Sequence, residues 1–592
     1  MNEAPWPNLV AMFLEQAEAK ADRPFLWVKR DGRYVPLTWG ETASRVKALA
    51  NTLRDRGLAE GDRVLILSGN SPEWVIADFA IMAAGGLTVP VYTTNTERDH
   101  IHILEDSGAA FAVVSTEALA RPFFQAAERT GGLRGVVTVK RFQTDFAGCP
   151  VVAWDDALAA GAAGSFDVPA HAATIPADDV ACLIYTSGTG GAPKGVMLSH
   201  RAIMVNCLGA RAVVEELGVG DEVFLSFLPL SHAYEHTAGL MFPVSLGAEI
   251  YFAERIDTLI TNLPEARPTI MTAVPRLYQV MRERILKNVQ KTSWVRQRLF
   301  DVAVTLGRKK LDGVPLTLGE RIADAAVERL VRETFRKRFG GRLKALVSGG
   351  APLNYDVGAF FTGLGLRLLQ GYGQTEAGPV IACNPCSNVK LNTVGPPFRN
   401  VEVRIAEDGE ILVRGPTVME GYWGLPELSG DVMRDGWLHT GDIGVIDNDG
   451  YLKITDRKKD IIVISSGDTI SPMHVETVLT HEPEIEAAMV VGDNRPHLVG
   501  ILVPAPDFLD QWAREKGVEP DLSVLAGSRE FRHAVGIAVD RANKGLASNE
   551  RVKRFLIAQD TFSTDNGMMT PTMKPRRHEI LNRWGPEIDA LY

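Results

Sequence analysis

Short apolar runs recur along the first third of the chain, separated by stretches long enough for a helix. "RVLILSG" (63–69), "TVPVY" (88–92), "AFAVVS" (110–115) and "ACLIYT" (181–186) are continuous runs with no polar alternation. That is how strands covered on both faces read. Between them, Thr38-Trp-Gly-Glu41 has the spacing of a capping box and opens a helix that ends near Gly57. A second helix begins at Ser71-Pro72-Glu73, where proline in the first turn loses no needed N–H. Strand–helix alternation of this kind predicts an α/β protein, with largely parallel sheets flanked by helices. No internal repeat or low-complexity tract interrupts it. After Gly450 the pattern changes: "YLKITDRKKDIIVISSG" is charged at its centre, and shorter strands and helices follow. The expected organisation is a large N-terminal domain, 1–458, and a small α+β C-terminal domain, 459–592.

At 592 residues the chain is too long for one core. With 45% hydrophobic and 23% charged residues it has the composition of a soluble globular protein. The net charge of −10 excludes nucleic acid as an expected partner. "MNEAPWPNLVAMFLEQAEAK" lacks a basic start and an apolar core, so no signal peptide is expected, and no run approaches a membrane span. Five cysteines in so long a chain read as a reducing compartment, hence a cytoplasmic protein. Cys383 and Cys386 form C-x-x-C without a second pair, and are read as incidental. Residues 282–344 are rich in Lys and Arg. Solvated helix faces explain this first; peripheral contact with an anionic membrane surface, at its inner face, is the alternative.

"YTSGTGGAPKG" (185–195) packs four glycines, the hydroxyls of Thr186, Ser187 and Thr189, and Lys194 into eleven positions at the end of a buried strand. Glycines let backbone N–H groups approach an anion, and the hydroxyls and the lysine add donors and charge. The lysine precedes its glycine, so this is not a Walker A loop. "SGGAPL" (348–353), "GYGQTEAG" (371–378) and "WLHTGDIG" (437–444) are further glycine turns. In the second, Glu376 replaces the third glycine of a dinucleotide fingerprint, and a carboxylate near phosphates is wanted where a metal ion lies between them. Asp442 in the third is suited to ribose hydroxyls. "HAYEH" (232–236) matches H-x-x-E-H, which on a helix would offer His232 and His236 to zinc beside Glu235. Its setting after "FLSFLPLS" reads instead as a strand running into a loop or helix start.

These segments, with "GEILVRGPTVMEGYW", "DRKKD" and "TPTMKPRR", stand in the order seen in adenylate-forming enzymes, and the likeness runs from about residue 8 to 585. The sequence resembles that family, and its length between "VPRLY" and "SGGAPL" resembles the long-chain fatty acyl-CoA synthetase branch. The resemblance implies ATP, Mg²⁺ and coenzyme A, with a long-chain fatty acid first joined to AMP and then passed to the CoA thiol. It implies that Thr186, Ser187, Gly188, Thr189 and Lys194 surround the β- and γ-phosphates. Gly349, Gly350, Ala351, Gln370, Gly371, Tyr372 and Gly373 would border the nucleotide, with Tyr372 against adenine. Thr375 would meet the α-phosphate, Glu376 with Thr186 would hold Mg²⁺, and Asp442 and Arg457 would bind ribose. His232 would line the acyl channel near the reacting carboxylate. Lys574 would bridge carboxylate and α-phosphate from a mobile C-terminal domain hinged at Lys459. An acyl-AMP ligase serving a carrier protein, or a ligase for aryl or medium-chain acids, is the alternative within the family. A zinc hydrolase and a non-catalytic nucleotide-binding protein stand outside it. The loop departs from the family's T-T-G by reading T-G-G at 189–191, and Val463 and Asp468 depart from it near the expected pantetheine path.

Overall fold

Buried on both faces, the four apolar runs become members of one sheet. The computed structural model describes residues 5–186, 192–255, 258–466, 468–563, 566–569 and 575–592. The chain divides into two units. The first comprises Met1–Arg404, Leu412–His439 and Asp447–Leu452; the second comprises Ile405–Ile411, Thr440–Ile446 and Lys453–Tyr592.

In the first unit, one eight-stranded sheet runs Gly421–Tyr422, Lys194–Ser199, Val180–Thr186, Leu87–Val91, Arg63–Leu67, Phe111–Val114, Gly135–Thr138, Val151–Ala153. Arg63–Leu67 is parallel to both neighbours, with Leu65 opposite Val89 and Ala112. Its residues Val64 to Leu67 are fully buried, as their unbroken apolar run requires. The expected capping box is present: Glu41 N donates to Thr38 Oγ1 and Thr38 N to Glu41 Oε2, opening the helix Trp39–Asp55. Ser71 caps Pro72–Ala83 through Trp74 N. The sheet is largely parallel, as its strand–helix rhythm implies, and its antiparallel pairings lie at one edge. Val180–Thr186 returns antiparallel into Lys194–Ser199, because a connection this short cannot make a parallel crossover.

The second sheet runs Val380–Cys383, Leu368–Gly373, Ala345–Ser348, Ile270–Ala273, Val223–Ser226, Glu249–Phe252, Pro24–Arg30, Arg33–Thr38. Only its two edge pairings are antiparallel. The basic segment folds as helices Pro275–Gln290, Trp294–Leu311, Leu318–Val327 and Glu333–Arg338, with a π turn at Glu328–Arg332. Buried Arg332 ties this hairpin together. It donates to Gly363 O at 2.8 Å, Ala303 O at 3.0 Å and Asp324 Oδ1 at 2.8 Å.

In the second unit, Ile485–Val491, Leu498–Pro504 and Val552–Ile557 form a sheet. The central strand is buried throughout and its alternate residues serve two cores. Leu498 and Leu502 pack with Val475, Leu479, Phe531 and Val535. Val499, Ile501 and Val503 pack with Ile580 and Trp584. The result is the small α+β unit expected for the C-terminal part.

Candidate active site

Ligands of open α/β sheets bind beyond the carboxyl ends of the strands. Thr186 ends its strand directly opposite Lys194, which begins the next. Lys194 Nζ lies 5.2 Å from the centre of the Tyr422 ring, and the Tyr422 hydroxyl donates to Glu376 Oε1 at 2.9 Å. Tyr422 reaches this position because Gly421–Tyr422 adds to the edge of Lys194–Ser199, with Tyr422 opposite Val196. Met419 N also donates to Glu376 O at 2.9 Å. Burial, followed by the neighbouring Glu376 charge, pushes the Tyr422 phenol well up, so it stays a donor. Tyr422 thus joins Thr186, Lys194 and Glu376, yet in the sequence it was only a letter inside "MEGYW". The one available signal was its place in a motif. Ser187, Gly188, Thr189, the rest of the T-G-G departure and Lys574 lie outside the described residues.

In the second sheet, Gly349, Gly350 and Ala351 follow the end of Ala345–Ser348, beside Gln370, Gly371, Tyr372 and Gly373 of the parallel neighbour. Gly350 has φ +80°, which favours glycine, and a Cβ on Gly349 would fall 2.9 Å from the Tyr234 ring. Thr375 and Glu376 occupy the short turn that follows, Thr375–Ala377. Ser348 Oγ and Gln370 Oε1, on residues paired across the two strands, are buried without a protein hydrogen-bond partner among the described residues. Such polar ends fit a polar ligand at these strands. Thr186, Thr375 and Glu376 supply hard oxygen donors of the kind Mg²⁺ takes.

The stretch "SHAYEH" connects these strands. Glu235 accepts from Ser226 Oγ at 2.7 Å and Thr272 Oγ1 at 2.8 Å, and the Tyr234 hydroxyl donates to Val347 O at 3.1 Å. Three parallel strands are therefore gripped at one end by two adjacent residues. Burial raises the Glu235 carboxyl to about 7, with the two hydroxyls opposing. His232 Nδ1 accepts from Tyr234 N at 3.2 Å. As expected, the strand Val223–Ser226 runs on into a helix start, but the turn Glu235–Met241 is π-helical. It directs His236 Nε2 to Asp78 at 3.0 Å, both side chains fully buried. One of the two histidines the zinc reading requires is thereby paired in the interior.

In the second unit, Arg457 Nε donates to Asp442 Oδ1 at 3.1 Å, so the two expected ribose ligands are neighbours. Asp442 N is held by Thr440 Oγ1 at 3.1 Å, and Gly441 N by Glu410 Oε1 at 2.9 Å. Lys458 is paired with Asp408 and Glu410, whereas Lys459 is exposed in the turn that follows. Val463 pairs with Thr469 in a two-stranded ribbon, and Asp468 accepts from Ser466 Oγ at 2.8 Å. Cys383 and Cys386 are free, and Cys386 Sγ contacts Val213 O.

Two α/β sheets whose carboxyl ends carry glycine turns, hydroxyls, a lysine and a carboxylate define a nucleotide-handling enzyme class. Residues 13–423 match the AMP-binding enzyme family, and residues 459–592 match the AMP-binding enzyme C-terminal domain. The chain belongs to the AMP-binding enzyme family. It is 33% identical to the long-chain-fatty-acid–CoA ligase FadD15 of Mycobacterium bovis, over 99% of this chain and 97% of that protein. It is 30% identical to long chain acyl-CoA synthetase 4 of Arabidopsis thaliana, over 95% and 88%. The fold is shared with the A domain of carboxylic acid reductase from Segniliparus rugosus, solved with AMP and a co-purified carboxylic acid. The TM-score is 0.77 at 23% identity, covering 99% of this chain and 94% of that one. Among the described residues, no helix is long and apolar enough to cross a membrane.

Proposed function

We propose that the chain is an ATP-dependent long-chain fatty acid–CoA ligase that works through an acyl-AMP intermediate. The observation that carries this reading is the end-to-end likeness, across both matched domains, to relatives named for that activity. A fatty carboxylate must attack the α-phosphate of ATP, breaking the α–β anhydride and releasing pyrophosphate, and both partners are anions. Charge neutralisation and alignment therefore do the catalytic work, without an enzyme nucleophile. Lys194 and the hydroxyl of Thr186, with Ser187, Gly188 and Thr189, hold the β- and γ-phosphates. Glu376, oriented by Tyr422, and Thr186 are the ligands for Mg²⁺, which when bound offsets phosphate charge. Thr375 contacts the α-phosphate, and Gly349 to Ala351 with Gln370 to Gly373 form the nucleotide wall, Tyr372 against adenine. Asp442 and Arg457 bind ribose. His232 lines the acyl channel at the carboxylate, and Lys574 bridges carboxylate and α-phosphate. Coenzyme A then displaces AMP. The division at 458 separates the adenylation domain from a mobile domain carrying Lys574. A long-chain acid resides largely in bilayers, so the enzyme works peripherally at a membrane surface.

Pyrophosphate release over a panel of carboxylic acids, with and without coenzyme A, tests the reading. CoA-dependent turnover of long-chain acids is expected. Acyl-AMP that accumulates until a carrier protein is added, or a preference for benzoate, would overturn it.

A further inference from the structure

An amphipathic helix on a protein surface normally buries its apolar stripe. The helix Leu318–Val327 and the turn after it do the reverse. Leu318, Ile322 and Leu330 are 77%, 68% and 60% exposed, and Ala325 and Ala326 are exposed between them. Steps of four, three to four and four to five residues set these on one side of the element, while Val327 is the helix's one buried residue. At the head of the helix that packs beside it, Trp294 is also 77% exposed.

The segment that carries this stripe is one-sided in charge. Residues 282–344 hold seventeen Lys and Arg against seven Asp and Glu, a local excess of ten positive charges in a chain whose net charge is −10. Most of the acids are already engaged within the hairpin. Glu320 is paired with Lys309, Asp324 with Lys310 and Arg332, Glu328 with Arg332 and Arg336, and Glu333 with Lys337. Arg321 and Arg329 stand exposed along the stripe; Arg329, eleven residues beyond Leu318, falls at nearly the same angle around the helix.

We infer that this helical hairpin docks on an anionic lipid surface. Leu318, Ile322 and Leu330 enter the headgroup layer, while Arg321 and Arg329 meet lipid phosphates. A second copy of the chain is the poorer occupant, since docking two such faces would oppose their positive excess. The inference rests on the long-chain reading only for its purpose, that of collecting a membrane-held acid; the contact itself stands on exposure and charge.

The test is co-sedimentation of the full-length protein with phosphatidylcholine vesicles, with and without phosphatidylglycerol. Binding should require the anionic lipid. L318E/I322E should lower it by about tenfold or more, and R321E/R329E should lower it and flatten its dependence on salt. Thermal melting and turnover of a short, water-soluble acid should be unchanged in both variants. Equal binding to neutral vesicles, or wild-type binding by L318E/I322E, overturns the proposal. So does a protein dimer that dissociates in L318E/I322E. A protein that sediments through this stripe but turns over no long-chain acid would keep the docking and lose the ligase reading; the converse result would do the opposite.

Discussion

At the residue scale, one hydroxyl links the groups on which charge handling depends. Tyr422 donates to Glu376 and lies against Lys194. Y422F should remove a hydrogen bond to a charged group, about 1.5–3 kcal/mol. Pyrophosphate release should fall at least about tenfold and need more Mg²⁺ for half-saturation, whereas thioester formation from supplied acyl-AMP is retained. An unchanged Mg²⁺ requirement would show that Tyr422 does not orient Glu376. K574A should cost the first half-reaction ~3–4 kcal/mol of transition-state stabilisation and spare the second. Equal loss in both half-reactions would remove Lys574 from the first step. Glu235 makes a pH prediction. Its carboxyl titrates at about 7 in the fold against an ordinary 4.5. As pH rises between those values, the unfolded chain releases this proton while the folded chain keeps it. The residue therefore lowers stability progressively, by ~3 kcal/mol in all, and by no more above 7. E235Q abolishes that slope. The melting temperature of wild type relative to E235Q should fall from pH about 5 to about 7.5; a constant difference would refute the assignment.

At the scale of elements, the turn after Leu452–Arg457 deserves a kinetic test. Asp460 N and Ile461 N both donate to Arg457 O, so a substitution at exposed Lys459 leaves these bonds available. Proline fixes φ near −65° and would prevent the dihedral change a hinge requires. K459P should leave pyrophosphate release near normal while acyl-CoA formation drops and acyl-AMP accumulates on the enzyme. Parallel decline of both steps would make Lys459 a plain solvated charge. Elements were legible where their signals are local. The Thr38–Glu41 box and Pro72 marked two helix starts because capping involves groups three residues apart. The π turn at Glu235–Met241 was not legible, because its side chains answer to Asp78, Ser226 and Thr272 on other elements.

At the scale of the whole molecule, an acyl channel should reward each added methylene with burial of ~0.8 kcal/mol until it is full. The kcat/KM series from short to long saturated acids should rise and then level; a preference for acetate or benzoate over palmitate would overturn the long-chain assignment. The sequence by itself determined the α/β class, four of the eight strands of the first sheet and the order of the motifs. Apolar runs, caps and glycine turns act over a few neighbouring positions, so their meaning survives without the fold. The tertiary structure decided what depends on distant partners. It set Tyr422 between Lys194 and Glu376, paired Arg457 with Asp442, and drew His236 inward to Asp78. It also decided that the stripe from Leu318 to Leu330 faces solvent. Apolar spacing specifies that a helix has two faces, but which face is covered depends on what the rest of the chain packs against it.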